Sequence, residues 1–338
     1  METRALGNTG IRVTPVGMGV LTVGRTQLAL PVEDGARIVR YAAERSINFF
    51  DTAEYYETYP YIARAAECRP YNPPSRTQAS VGAAFSRPPL DDAVISSKSL
   101  APDHAGMTRA IEDCRAALSR DVIDIFLLHE IRQAPDFENR AGAWQALVDA
   151  KAKGMVRAIG LSTHHVDGAR LAAALPDLDV LFPLINHRGL GIRDGDAPGS
   201  KEAMAAAIRA ASGAGIGVFA MKAFGGGNLA ADYMTALGYV STLSGVTSTM
   251  IGMGCEKDVD DAVDYFEGRL APDYRPDVSL KKMRVDRGDC EGCGACVQRC
   301  TSEAIRIDAE GIAVIDHEKC ITCGYCAYAC PVRALILY

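Results

Sequence analysis

Phe49-Phe50-Asp51-Thr52-Ala53-Glu54-Tyr55-Tyr56 places two core aromatics directly before an acid, a small hydroxyl residue and two tyrosines. An apolar run that stops in titratable groups reads as a buried strand delivering side chains to a site. On either side of it, from Val13 to Arg269, short β-branched runs alternate with longer amphipathic stretches rich in Ala, Glu and Arg, the pattern of βα units around a parallel sheet. The strands expected are Val13–Val20, Ile47–Ala53, Ala93–Ser99, Ile123–His129, Val156–Thr163, Val180–Asn186, Gly217–Ala223 and Thr247–Met253. Helical patterns such as Val32–Ser46, His104–Arg120 and Asn139–Lys153 follow them. Eight such units close an α/β fold into a (β/α)8 TIM barrel. The second unit carries surplus chain, because residues 57–90 exceed what a loop and helix require and include Cys68-Arg69-Pro70-Tyr71-Asn72-Pro73-Pro74. That surplus is expected to form an insertion at the barrel mouth.

The totals suit a large domain with a small companion: 338 residues at 48% hydrophobic content fill a full-sized core. Lys and Arg number 36 against 42 Asp and Glu, and a formal net charge of −6 gives no electrostatic reason to expect nucleic acid or an anionic membrane as partner. The opening Met1-Glu2-Thr3-Arg4 lacks the apolar core of a secretory signal, and no run approaches the ~18 apolar residues of a membrane span, so a cytoplasmic location is expected. Of eleven cysteines, eight lie between Cys290 and Cys330, which points to metal ligation rather than scattered disulfides.

In a (β/α)8 barrel chemistry gathers where the strands end at the C-terminal face. Strand two ends at Asp51 with Tyr56 just beyond, strand three at Lys98, strand four at His129, strand five at Ser162-Thr163 and strand six at Asn186-His187. Loops after strands seven and eight, Gly225-Gly226-Gly227-Asn228 and Gly252-Met253-Gly254, stand where such barrels bind phosphate through backbone N–H groups. Each residue alone has an ordinary structural use: a rim tyrosine, a solvated lysine, a hydrogen-bonded core histidine. Together they form a coherent acid catalyst. A phenol with a pKa of about 10 becomes a stronger acid beside an ammonium that favours its phenolate, here Lys98. Asp51 would hold that ammonium, and His129 would aim a carbonyl by a hydrogen bond or relay its proton.

The stretches Leu6-Gly7 to Gly19, Asp51-Thr52-Ala53-x-x-Tyr56, Ser97-Lys98 and Asp124-Ile125-Phe126-Leu127-Leu128-His129 resemble the aldo-keto reductase family over roughly Glu2 to Arg269. The resemblance implies a (β/α)8 barrel that binds NAD(P)H without a Rossmann domain, and a tetrad of Asp51, Tyr56, Lys98 and His129. It implies carboxamide contacts from Ser162, Thr163 (where the family has Asn) and Asn186. It also implies pyrophosphate contacts from Met221, Lys222, Gly225, Gly226 and Gly227, with Gly252 and Gly254 in the phosphate-binding loop after strand eight and Lys257 where the family grips a 2′-phosphate. Two positions depart from the pattern: Phe182 stands where the family carries Gln, and the basic grip on a 2′-phosphate reduces to Lys257 within Cys255-Glu256-Lys257-Asp258. NAD and NADP both stay open on this reading.

A composition shift places a linker at 271–280 between a barrel at 1–270 and a cysteine domain at 281–338. Cys290-x2-Cys293-x2-Cys296-x3-Cys300 and Cys320-x2-Cys323-x2-Cys326-x3-Cys330-Pro331 repeat at an offset of 30 residues, each followed by an apolar strand, Ala304–Ile307 and Ala334–Leu337. Zinc sites pair two separated knuckles, whereas this doubled run is the pattern of bacterial two-cluster ferredoxins. Its crossed ligation assigns one [4Fe–4S] cluster to Cys290, Cys293, Cys296 and Cys330, and the other to Cys320, Cys323, Cys326 and Cys300. Thr301 replaces the proline of the second copy without removing a ligand.

The reading that follows is an NAD(P)H-dependent oxidoreductase of small carbonyl or alcohol substrates with an iron-sulfur electron-transfer domain. The alternative is a ferredoxin- or flavin-linked oxidoreductase that does not use nicotinamide directly, with an external redox protein as partner. Single-electron clusters and two-electron hydride carriers do not exchange electrons without a mediator. A linker of about ten residues spans up to ~33 Å, enough to bring the cysteine domain to the barrel mouth. There the 59–87 insertion, through Tyr59, Tyr61, Arg64, Arg69 and Tyr71, is expected to supply contacts.

Overall fold

The computed structural model describes residues 1–67, 90–279 and 281–338. Eight parallel strands form a closed barrel: β1 (Val16–Gly19), β2 (Phe49–Asp51), β3 (Val94–Ser99), β4 (Ile123–Leu128), β5 (Val156–Thr163), β6 (Val180–Pro183), β7 (Gly217–Ala220) and β8 (Ser248–Gly252). Strands pair in chain order, and β8 closes on β1 with Met250 opposite Gly17 and Ile251 opposite Met18. The expected strands are all present but several are shorter. Strand β6 ends at Pro183, which has no N–H to extend the ladder. Strand β1 gives way to a 3₁₀ turn over Val20–Val23.

Local chemistry sets the outer helices. Asp103 accepts from the Gly106 N–H at 2.7 Å to start His104–Leu118, and Ser200 accepts from Ala203 at 3.1 Å to start Lys201–Gly213. Their apolar faces pack on the strands in one large core. A second core fills the barrel, where Phe182 stacks on Phe219 at 4.1 Å and Phe49 meets Phe219 edge-on at 4.8 Å. The N-terminal hairpin of Arg4–Ala5 and Arg12–Val13 sends Leu6 and Ile11 into this inner core.

The cysteine domain has two antiparallel pairs. Strand β9 (Met283–Val285) pairs with β12 (Leu335–Leu337), and β10 (Ile305–Ile307) with β11 (Ala313–Ile315). Each cysteine run ends in a one-turn helix, Ala295–Arg299 or Tyr325–Ala329, entered through a left-handed glycine, Gly294 or Gly324.

This domain sits on the barrel mouth, touching loops that follow six of the eight strands. Leu337 N–H donates to Gly226 O at 2.9 Å, Asn228 Nδ2 to Leu335 O at 3.0 Å and the Tyr338 hydroxyl to Gly252 O at 3.0 Å. Gln27 reaches Asp286 at 3.0 Å, Tyr55 packs against Gly288, Lys222 pairs with Asp289 at 3.2 Å, Arg132 approaches Glu291 at 3.8 Å and Arg333 packs on Gly191. The expected docking at the mouth is met by different residues than expected. Within the 57–90 stretch, Tyr59–Ala66 is a helix of the barrel wall: Tyr59 bonds Ser97 at 2.8 Å, Tyr61 donates to Leu30 O and Arg64 pairs with Glu33. Arg69 and Tyr71 lie outside the described residues. The docking surface is made instead by the glycine loop after β7, because its backbone can approach another chain closely. A Cβ on Gly227, at φ +83°, would stand 2.1 Å from Leu337 O. We therefore expect Gly227→Ala to cost about 1–3 kcal/mol and to loosen the docked domain. Calorimetry should then resolve two unfolding transitions where the wild type gives one.

Candidate active site and iron-sulfur centres

Strands β2, β3 and β4 bring Asp51, Lys98 and His129 to one point at the mouth, and the 3₁₀ turn Glu54–Tyr56 swings Tyr56 over them. Lys98 Nζ donates to Asp51 Oδ2 at 2.7 Å and to Thr52 O at 2.8 Å, with both side chains almost wholly buried. The ammonium lies 4.7 Å from the centre of the Tyr56 ring, and the Tyr56 hydroxyl is 3.4 Å from His129 Nε2. The four residues expected to form the proton donor are thus assembled.

Their electrostatics differ in one respect from the expectation. Burial pulls both Asp51 and Lys98 toward neutrality, and the 2.7 Å contact resists it on each side. Tyr56 is held well above the usual phenol range, first by burial and then by the carboxylates of Asp51, Asp289, Asp286 and Glu130. The Lys98 charge, placed over the ring face and engaged by Asp51, does not offset burial and these carboxylates. Burial, with the nearby Lys98 charge, drives His129 well below the usual imidazole range and keeps it neutral. Its Nδ1 has no hydrogen-bond partner among the described residues, so of the two roles foreseen, aiming a carbonyl fits better than relaying a proton inward.

A cavity of about 410 Å³ opens from Asp51 and Tyr56, past Phe182, Met221 and Lys222, to Gly252, Gly254, Lys257 and Asp261. That volume lies within the usual range of cofactor and small-molecule sites. Of the residues expected to hold a nucleotide, Met221, Lys222, Gly226, Gly227, Gly252, Gly254 and Lys257 line it. Ser162, Thr163, Asn186 and Gly225 do not. Asn186 is fully buried and spends its amide on Leu190 O and on the Arg188 and Leu190 N–H groups. Thr163 exchanges bonds with His165, and Ser162 Oγ accepts from Glu130 N–H. These side chains shape loops, and the carboxamide contacts expected of them are not on the cavity wall. Lys257 is held by Asp261 at 2.9 Å and by the Tyr274 hydroxyl at 3.1 Å, in an acidic neighbourhood that includes Asp258 and Asp277.

Part of the wall comes from residues with no local signal in the sequence. Ile336, Leu337 and Tyr338 roof the cavity from the cysteine domain, and the Tyr338 phenol is pushed far up by burial, with Asp258 adding to it. A contact between residues about a hundred positions apart leaves no periodicity to read. Cys255 also lines the cavity, and Cys114 is buried in its helix.

The eight cysteines fall into the crossed quartets. Cys290, Cys293, Cys296 and Cys330 surround one small cavity, and Cys300, Cys320, Cys323 and Cys326 surround another. Backbone N–H groups point at the sulfurs, Ala313 to Cys290 at 3.4 Å, Ala304 to Cys300 at 3.2 Å and Ala334 to Cys330 at 3.3 Å, as suits thiolates held on iron. The sulfurs are spread around each cavity; among the described residues no three such ligands converge on a single-ion site. The residues fit two [4Fe–4S] clusters.

A closed barrel with an assembled tetrad at its C-terminal mouth, capped by a two-cluster domain, defines an oxidoreductase. The chain belongs to the aldo/keto reductase family, whose model matches residues 15–242, and a 4Fe-4S dicluster domain matches residues 283–337. It is 28% identical over 200 residues to 6-dehydroglucose reductase of Novosphingobium aromaticivorans, covering 53% of this chain and 60% of that protein. It is 51% identical over 39 residues to the formate dehydrogenase iron-sulfur subunit of Wolinella succinogenes, covering 12% of this chain and 20% of that one. The matched stretches thus span less than two thirds of these relatives. In fold it resembles an aldo-keto reductase from Bacillus halodurans, with a TM-score of 0.61 at 17% identity over 79% of this chain and 91% of that one.

Breaking the buried pair separates its two roles. Lys98→Met strands the Asp51 carboxylate and should cost about 3–5 kcal/mol in urea unfolding, whereas Asp51→Leu with Lys98→Met should recover most of that loss and leave catalysis absent.

Proposed function

We propose that the protein reduces a small carbonyl compound to its alcohol at the Asp51, Tyr56, Lys98 and His129 site, with electrons exchanged between the cavity and the cysteine domain. The observation that carries this reading is the Lys222–Asp289 contact at 3.2 Å. It joins a residue of the cavity wall to the residue directly before Cys290. Consecutive Cα atoms are only ~3.8 Å apart, so the Cys290, Cys293, Cys296 and Cys330 quartet begins at the cavity edge.

A nucleotide carrier held in the cavity would supply hydride to the carbonyl carbon; Tyr56 gives its proton to the carbonyl oxygen, and bulk solvent returns that proton. His129 aims the oxygen, and the Lys98–Asp51 pair stabilises the negative charge that develops on it and on the phenol. Clusters, when bound, supply or accept single electrons, which a flavin nucleotide can collect for a hydride transfer and a nicotinamide cannot. The engaged Ser162, Thr163 and Asn186 side chains favour a flavin-type carrier, and Lys222 with the Gly226-Gly227 backbone would receive its phosphate.

A second reading, direct use of a nicotinamide dinucleotide, is favoured by the reach of the cavity from Tyr56 to Lys257. Asp258 and Asp261 around Lys257 then select NAD(H) over NADP(H), since a 2′-phosphate would meet carboxylates. Anaerobic titration of the cluster-loaded protein with FMN, NADH and NADPH, followed by fluorescence and by turnover of an aldehyde and ketone panel, separates the readings. Failure of all three to bind, with no turnover from a reduced cysteine domain, would remove both. Turnover should fall at least about 10²-fold in Tyr56→Phe with carrier binding retained. Because Tyr56 must be protonated to act and its pKa is raised, kcat/KM for reduction should stay level through the alkaline range up to pH ~10; an earlier fall would mean that Lys98 acidifies the phenol after all.

A further inference from the structure

The two quartets are not equivalent in place. Asp289, beside Cys290, and Arg333, close after Cys330, both touch the barrel, so the Cys290, Cys293, Cys296 and Cys330 quartet is the inner one. The Cys300, Cys320, Cys323 and Cys326 quartet is the outer one by comparison; each quartet has one exposed cysteine, Cys293 or Cys323, and Ile321 lines the outer cavity beside Cys323. Exposed apolar side chains stand on the same stretches of chain: Ile321 at 68%, Tyr325 at 56% and Tyr328 at 52%, with Val297 at 36%. Tyr325 and Tyr328 are three residues apart on one helical turn, which packs against the turn carrying Val297. Exposed aromatics grouped in this way mark an interaction surface. Charges close by along the chain balance: Arg299, Lys319 and Arg333, the last 5.9 Å from the Tyr328 ring, stand against Glu303, Glu318 and Asp316, with Lys319 3.7 Å from Asp316.

We propose that Val297, Ile321, Tyr325 and Tyr328 form the docking surface of a small one-electron carrier protein, which loads the outer quartet's cluster while the inner quartet serves the barrel. The occupant is fixed by chemistry, because Ile321 and Tyr325 adjoin Cys323, an exposed ligand of a redox centre. The balance of charge assigns its recognition to apolar contact rather than to steering, so the partner carries an apolar rim around its own redox group. The balance is one electron out of the carrier and one into the outer cluster, repeated once for each two-electron turnover. This rests on the reading that the clusters exchange electrons with the barrel, but docking is measurable without barrel turnover.

The test uses anaerobic, cluster-loaded full-length protein and follows bleaching of cluster absorbance in stopped flow, with a reduced bacterial ferredoxin and a reduced flavodoxin as probes. Ile321→Glu combined with Tyr325→Glu, and separately Tyr328→Glu, should lower the second-order rate constant at least tenfold for one of these carriers. Bleaching by dithionite and the cluster potentials from EPR titration should be unchanged, and the wild-type rate should vary little with salt. Iron content and circular dichroism verify that each variant is loaded and folded. Unchanged carrier rates in both variants would overturn the proposal, as would a wild-type dimer in ultracentrifugation that these substitutions dissociate, because the patch would then be a self-interface. A loss of aldehyde turnover with intact carrier-driven bleaching would instead count against the barrel reaction alone.

Discussion

A lysine and an aspartate buried side by side at the barrel's open end govern this site. Desolvating two charges is costly, and it is tolerable only while the 2.7 Å contact and the bond to Thr52 O keep both satisfied. The consequence is rigidity. Lys98 cannot swing to the Tyr56 hydroxyl without abandoning Asp51, so its charge stays over the ring face, and the phenol keeps its proton in the resting protein. A phenol held in this state suits the proposed reduction, in which it would give its proton to a developing alkoxide while the nearby ammonium stabilises the phenolate left behind.

The second constraint is steric and belongs to glycine. Gly225, Gly226 and Gly227 all adopt positive φ, and the loop they form is narrow enough for strand β12 to hydrogen-bond directly to it. A loop that the family resemblance assigns to a pyrophosphate therefore has two neighbours, the cavity on one side and the cysteine domain on the other. Ile336, Leu337 and Tyr338 complete the cavity roof, so the barrel's site is finished by a domain that begins more than two hundred residues after Asp51.

These two constraints explain how far the sequence could be read. The barrel was legible because each strand carries its own β-branched run and each helix its own apolar face. The tetrad was legible because strand ends in a barrel converge by topology, whatever lies between them. The spacing marked out the eight cysteines, and their crossed grouping came from the resemblance to two-cluster ferredoxins. What could not be read is pairwise and long-range. Nothing near Asn186 says that its amide is used by Leu190 and Arg188, and nothing near Tyr59, Tyr61 or Arg64 says that they face Ser97, Leu30 and Glu33 rather than the cysteine domain. Such choices depend on which partner arrives in space.

The placement of carboxylates gives the two halves a shared role. Asp286 and Asp289 belong to the turn that leads into Cys290, yet both raise the acidity barrier of Tyr56, and Lys222 stands between them and the cavity. Negative charge at the start of the cysteine domain consequently favours proton retention at Tyr56 through space rather than through a conformational relay. Any negative charge added on the domain side favours the neutral phenol further, by the same Coulombic sign. This coupling requires only that the domain stay docked where Leu337 meets Gly226.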